Sequence, residues 1–154
     1  MSRTATPLDD FLGFSAELTG FSPFRLTGTG LAPAYLDTVV HVVGSPLLAR
    51  LLEAYHRLPD DDAAARNAAL RADILADECL GPVARNIIKL WYVGIWYQLP
   101  MTWRDSFGIR EADSTFVVSP VAYTEGLLWP AAGASPPGSK GPGYGTWALP
   151  PRLP

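Results

Sequence analysis

Cysteine is almost absent from this chain: Cys79 is the only one. One thiol excludes an intramolecular disulfide and any thiolate cluster within a single chain. It leaves the compartment open, because a lone thiol survives in either redox environment. Charge is scarce as well: Asp, Glu, Lys and Arg make up 18% of residues, the net charge is −3, and no cluster of Lys or Arg offers a phosphate-tracking face. Nucleic-acid binding is therefore not expected. Long apolar runs are missing too. The longest strongly apolar stretch without a charge covers residues 90–103 and is interrupted by Gln98 and Pro100. A spanning helix needs ~20 such residues, so no direct membrane span is expected. The first seven residues, MSRTATP, show no basic region followed by an apolar run, so no export leader is expected in them.

What the chain has is length for one domain (154 residues), 48% hydrophobic residues, 11% aromatics, 15 prolines and 14 glycines. A chain of this size can bury a real core. The excess of Pro, Gly and aromatics over ordinary usage points to extended, aromatic-studded segments that need a surface to lie on.

The expected fold is mainly α: a small, irregular helical domain of about five helices over residues 1–129, followed by an extended Pro/Gly-rich strap over 130–154. Thr6-Pro7, with Asp9 and Asp10 in the first turn, starts the first helix, which runs to about Leu18 with Gly20 beyond it. Thr can cap, Pro suits the first helical position, and acids suit the positive helix end. Residues 20–30 read as loop from their Gly, Ser, Pro and Thr content. Pro33 opens a second helix ended by Gly44. Ser45-Pro46 caps a third, whose Leu47, Leu48, Leu51, Leu52 and Tyr55 repeat at helical spacing. Pro59 and the run Asp60, Asp61, Asp62 start an alanine-rich fourth helix through Ile74 and Leu75, with a moderate apolar stripe and a charged outer face.

The fifth expected helix starts at Gly81-Pro82, continues to Gln98 and is stopped by Pro100. Arg85, Lys89 and Tyr92 form one narrow polar stripe, and nearly everything else on it is apolar. Such a helix must be covered on more than one side, as a core helix, an interface helix or both. After Gly108 helix signals fade: residues 115–118 suit a short strand, and Ser119-Pro120 suits one helical turn through Tyr123, Leu127 and Leu128. From 130 to 154, 12 of 25 residues are Pro or Gly and the only charges are Lys140 and Arg152. Disordered linkers carry more charge and fewer aromatics than this.

Chemistry is hard to find. His41 and His56 sit on different helices with no Asp, Glu or His cluster beside them, so both read as partly exposed helix residues and no metal site is expected. Gly28, Gly30 and Pro33 mimic the start of a dinucleotide fingerprint, but proline stands at the third glycine and no strand precedes it. Asp73, Asp77 and Glu78 read as solvated acids rather than an acid–base pair. Cys79 reads as a small buried hydrophobe. Glu125, in a polar step with Tyr123 and Thr124, would need a partner if buried and reads as a pin for its segment. No catalytic, cofactor-binding or metal-ligating residue is assigned.

Three stretches together resemble a known family: residues 14–21 (FSAELTGF), 80–100 (LGPVARNIIKLWYVGIWYQLP) and 118–130 (VSPVAYTEGLLWP), the last continuing into 136–150 (PPGSKGPGYGTWALP). With their spacing they cover nearly the whole chain. The family is the small subunits of membrane-bound FAD-dependent sorbitol and fructose dehydrogenase complexes. The resemblance implies a non-catalytic subunit that binds a large FAD-binding dehydrogenase subunit and supports its maturation, stability or export. A cytochrome c subunit of the same complex would pass electrons to membrane quinone. The implied location is periplasmic, at the inner membrane through the complex. The family's frequent twin-arginine leader is not seen here: either it was trimmed from this sequence or this member acts as a cytoplasmic assembly factor, and both stay open. The residues expected to meet the partner are Trp91, Trp96, Tyr123, Trp129, Tyr144, Trp147 and Leu149. Two other readings stay open: a free-standing scaffold or homo-oligomer, and an oxidoreductase in its own right. The substrate of the complex, its stoichiometry and whether the strap binds the partner or its own domain stay open too.

Overall fold

The first two helices start at a Thr-Pro and a Ser-Pro pair. In α1 (Pro7–Thr19) the Thr6 hydroxyl accepts from Asp9 N at 3.2 Å, and Thr6 N donates back to the Asp9 carboxylate at 3.0 Å. This reciprocal box satisfies two backbone groups that a helix end leaves unpaired. The computed structural model describes residues 4–136; Tyr144, Trp147, Leu149 and most of the expected strap lie outside the described residues.

The same Ser-Pro logic corrects the loop expected over 20–30. Ser22 accepts from Arg25 N at 3.2 Å and Pro23 takes the first position of a short helix, α2 (Pro23–Gly28). Leu26, fully buried, anchors that turn to the core. Its composition says loop, but a cap and one inward leucine are enough for a helix of six residues.

α3 (Ala32–Val43) and α4 (Ser45–His56) follow as expected, meeting at Gly44 with a 118° bend. Gly44 has a φ of +88°, which glycine adopts without strain. Ser45 is the first residue of α4 rather than its cap, and no side chain caps this helix. α3 buries Tyr35, Val39, Val42 and Val43; α4 buries Leu47, Leu48, Leu51 and Leu52. Together the two helices meet the length and composition of a membrane span, but among the described residues no single helix is long and apolar enough to cross a membrane.

α5 (Ala63–Ala69) is capped by Asp62, whose carboxylate accepts from Ala64 N at 3.0 Å, and buries none of its residues. The apolar stripe expected of this helix falls instead on the π-helical turn that continues it, Leu70–Leu75, through Leu70 and Ile74. Asp77 then accepts from Cys79 N at 2.8 Å and Leu80 N at 2.7 Å, closing the entry to α6 (Leu80–Val93). Of the acids read as solvated, Asp73 and Glu78 are exposed and Asp77 is this half-buried cap.

α6 is the central helix, packed against α1, α3, α4, the π-helical turn and the strand that follows it. Arg85 and Lys89 of its polar stripe are exposed, and Val83, Ala84, Ile87, Leu90 and Trp91 are buried. It ends at Val93, five residues before the expected Gln98, however. Gly94 takes a left-handed φ of +72°, and the chain turns into β1 (Ile95–Trp96). A Cβ at Gly94 would run into Ala122, so the turn brings two backbone segments together where only glycine fits.

β1 pairs antiparallel with β2 (Phe116–Val117), Ile95 opposite Val117 and Trp96 opposite Phe116. Between them lies α7 (Met101–Phe107), a helix with no sequence expectation behind it. Pro100, read as a stop, is its N-cap, and buried Trp103 holds it by donating from Nε1 to the Cys79 carbonyl at 2.8 Å. Two single turns, α8 (Ala122–Glu125) and α9 (Leu128–Ala131), end the described chain. The fold is mainly α, with one core running through all the larger helices.

Candidate docking surface

The expected partner-binding residues separate by burial. Trp91 and Trp96 are 1% and 0% exposed. Trp91 lies edge-on to Tyr35 at 4.9 Å between ring centroids and stacks at 6.5 Å on Phe11. Trp96 is tied by its indole N–H to Asp113. Both are core residues, with no surface left for a partner; the apolar sequence around most of α6 reflects cover by the chain's own helices.

Tyr123 and Trp129 are different. Tyr123 is 51% exposed and Trp129 half-buried. Trp129 Nε1 donates to the Tyr123 carbonyl at 2.6 Å, and the two rings meet edge-to-face at 5.4 Å. Each fixes the other at the surface. The segment is fastened from below: Leu127 N donates to the Trp91 carbonyl at 2.9 Å, and Gly126 lies against Tyr92 O, where a Cβ would be too close. Leu127 itself is buried.

Across from these turns stands α2. With Leu26 turned into the core, Phe24 is left 89% exposed, the most exposed large hydrophobic among the described residues. The turn is stiffened by Thr27 and Thr29, whose hydroxyls donate to the Pro23 and Leu26 carbonyls at 2.8 and 2.7 Å. Arg25 lies over the Phe21 ring at 5.7 Å. Between α2 and the α8–α9 turns runs an open groove of about 520 Å³, with Phe24 on one wall and Leu127 and Pro130 on the other. Arg25 and Glu125 are its charged lining residues, and no His, Cys, Lys or Asp lines it. Such a groove is suited to holding apolar surface with a charge pair at its margin. Sequence reasoning missed Phe24, because its exposure follows only from which way Leu26 faces.

A polar cluster elsewhere also escaped the sequence. His56 Nε2 and Asp10 Oδ1 are 3.1 Å apart, joining α4 to α1. Beside them Arg66 of α5 pairs with Glu17 at 3.0 Å and Asp60 at 2.7 Å, donates to the Leu58 and Pro59 carbonyls, and lies 5.6 Å over the Tyr55 ring. Burial pushes the Tyr55 hydroxyl pKa up, with Arg66 opposing. The cluster explains how α5 stays in place without burying a side chain: Arg66 fastens it to α1 and α4. Among the described residues no group of three or more His, Cys, Asp or Glu comes together as a metal site.

No family model, no curated protein and no solved structure matches the chain.

Proposed function

We propose that this chain is a non-catalytic helical subunit that docks a larger protein on the Phe24 face. By the resemblance of its three sequence stretches, that protein is the FAD-binding large subunit of a sugar or polyol dehydrogenase complex. The flavin and the oxidation belong to the large subunit, and a cytochrome c subunit completes the assembly. The complex works at the periplasmic side of the inner membrane; assembly in the cytoplasm is the alternative for this member. The small subunit's part is to support folding, stability or export of its partner.

The observation that carries this reading is the exposed aromatic Phe24 facing Leu127 and Pro130 across one groove, with Tyr123 and Leu128 exposed on the neighbouring turns. Large apolar side chains held out by caps and backbone ties cost solubility, and such patches commonly mark interaction sites. Aromatics of this kind are typical interface anchors worth about 2 kcal/mol or more each.

Titration of the full chain against the FAD-binding subunit tests the proposal. The Phe24→Ser protein should melt as the wild type does and bind at least ~10-fold more weakly, a difference of about 1.4 kcal/mol. Undiminished binding would remove this face as the docking surface. Failure of the wild-type chain to bind any such flavoprotein would remove the family reading, and stoichiometric FAD absorbance in the isolated chain would remove the non-catalytic one.

A further inference from the structure

At the corner where α3 turns into α4, two arginines from distant parts of the chain line one cleft. Arg50 comes from α4 and Arg110 from the segment after α7, and the cleft of about 220 Å³ between them is floored by Val43, Gly44, Pro46 and Leu47. Both cations rest on one support. Arg50 Nη1 contacts Cys79 Sγ at 3.9 Å, the Cys79 carbonyl accepts from Trp103 Nε1 at 2.8 Å, and Arg110 lies 6.0 Å over the Trp103 ring. Neither arginine takes part in the ion pairs of the described residues, which involve only His56 and Arg66 as cations. Arg110 Nε is buried without a hydrogen-bond partner. Of the acids nearby, Glu111 lines the adjoining groove and is exposed, and the half-buried Asp77 acts on the Cys79 thiol as both arginines do.

Two like charges held at one cleft repel each other, and the arrangement gains most from an anion placed between them. Guanidinium groups present planar forks that match oxyanions. Two of them, carrying two positive charges, suit the two negative charges and the several oxygens of a phosphate group better than a single carboxylate. Among the described residues no side chain caps the α4 N-terminus at the same corner. We infer that the Arg50–Arg110 cleft is a phosphate-binding site, for free phosphate or the phosphate group of a small ester.

The site is independent of the docking groove and can be tested on the full chain alone. Melting and calorimetric titration are run with inorganic phosphate, with glycerol phosphate, and with acetate and chloride at matched ionic strength. Phosphate is expected to raise the melting temperature and to bind at least ~10-fold more tightly than acetate. A tighter glycerol phosphate arm identifies an ester as the natural source, and an equal or weaker one identifies the free ion. Arg50→Gln and Arg110→Gln should each lower phosphate affinity at least ~5-fold. Arg50 is exposed, so its variant should keep the unliganded melting temperature, and Arg57→Gln, at an exposed arginine at the far end of α4, should bind phosphate as the wild type does. The assignment is overturned if phosphate acts no differently from acetate or chloride, or if its effect survives both cleft substitutions.

Discussion

The indole N–H of Trp96 donates to the Asp113 carboxylate at 3.0 Å, and the same carboxylate accepts from Leu99 N through both oxygens at 3.1 Å. Asp113 is 4% exposed and Trp96 fully buried. One acid thus fixes the indole, the turn after β1 and, through Gln98 Nε2 on its own carbonyl at 3.1 Å, the approach to β2. Asp113→Ala leaves two buried donors without an acceptor and should destabilise the fold by about 3 kcal/mol. Trp96→Ala should cost about 3–5 kcal/mol. The double variant should cost less than the two losses added together. Urea denaturation of the four proteins checks this, and strict additivity would show that the pair is not coupled.

Gly94→Ala should be costly for a residue so small. The position needs a left-handed φ of +72°, and the new methyl meets Ala122. Strain of about 1–2 kcal/mol for the backbone adds to overpacking of about 1–3 kcal/mol. Replacing the exposed Gly108 in the same way meets no neighbouring atom, so the loss there should be confined to the backbone part. Equal thermal shifts for the two variants would show that the Ala122 contact does not matter.

Arg66→Met keeps the length of the side chain and removes its bonds to Glu17, Asp60, Leu58 and Pro59. The expected loss is about 1–3 kcal/mol, the range for hydrogen bonds to charged groups. Because α5 buries no side chain, amide exchange in residues 63–69 should speed up more than in α6. Unchanged exchange in α5 would show that another contact holds it.

Alkaline pH should expose the cost of burying Tyr35. Burial pushes its hydroxyl far above its ordinary value of 10.0. The folded form therefore keeps a proton that the unfolded chain releases. Its contribution is whole below about pH 10 and is lost as pH rises further, by up to ~1.4 kcal/mol per pH unit. Burial also raises Tyr55 and Cys79, so the loss in the wild type includes their shares. Tyr35→Phe should shrink the fall in melting temperature between pH 9 and 11 without abolishing it. An identical pH profile for the two proteins would exclude Tyr35 as a contributor.

Much of the helical frame was legible in the residues themselves. Thr6-Pro7 and Gly20 bound α1, Gly44 divides α3 from α4, and the Leu47, Leu48, Leu51, Leu52 repeat shows the buried face of α4. The exposed Arg85 and Lys89 show the outer face of α6. These signals act between residues no more than about one turn apart, within the reach of caps and helical periodicity. Where two local signals compete, as in residues 20–30, composition misleads and the Ser22 cap prevails.

By itself the sequence determined that this chain is helical, which faces are apolar, and where most helices begin, because those properties arise from neighbouring side chains and backbone. Only the tertiary structure decided that α6 stops at Gly94 with Trp91 and Trp96 inside the core, since Ala122 and Asp113 supply the reasons from another part of the chain. It likewise decided that His56 meets Asp10 across 46 residues. The exposure of Phe24 and the convergence of Arg50 and Arg110 on one cleft depend in the same way on packing between distant elements, and no local pattern encodes arrangements of residues so far apart.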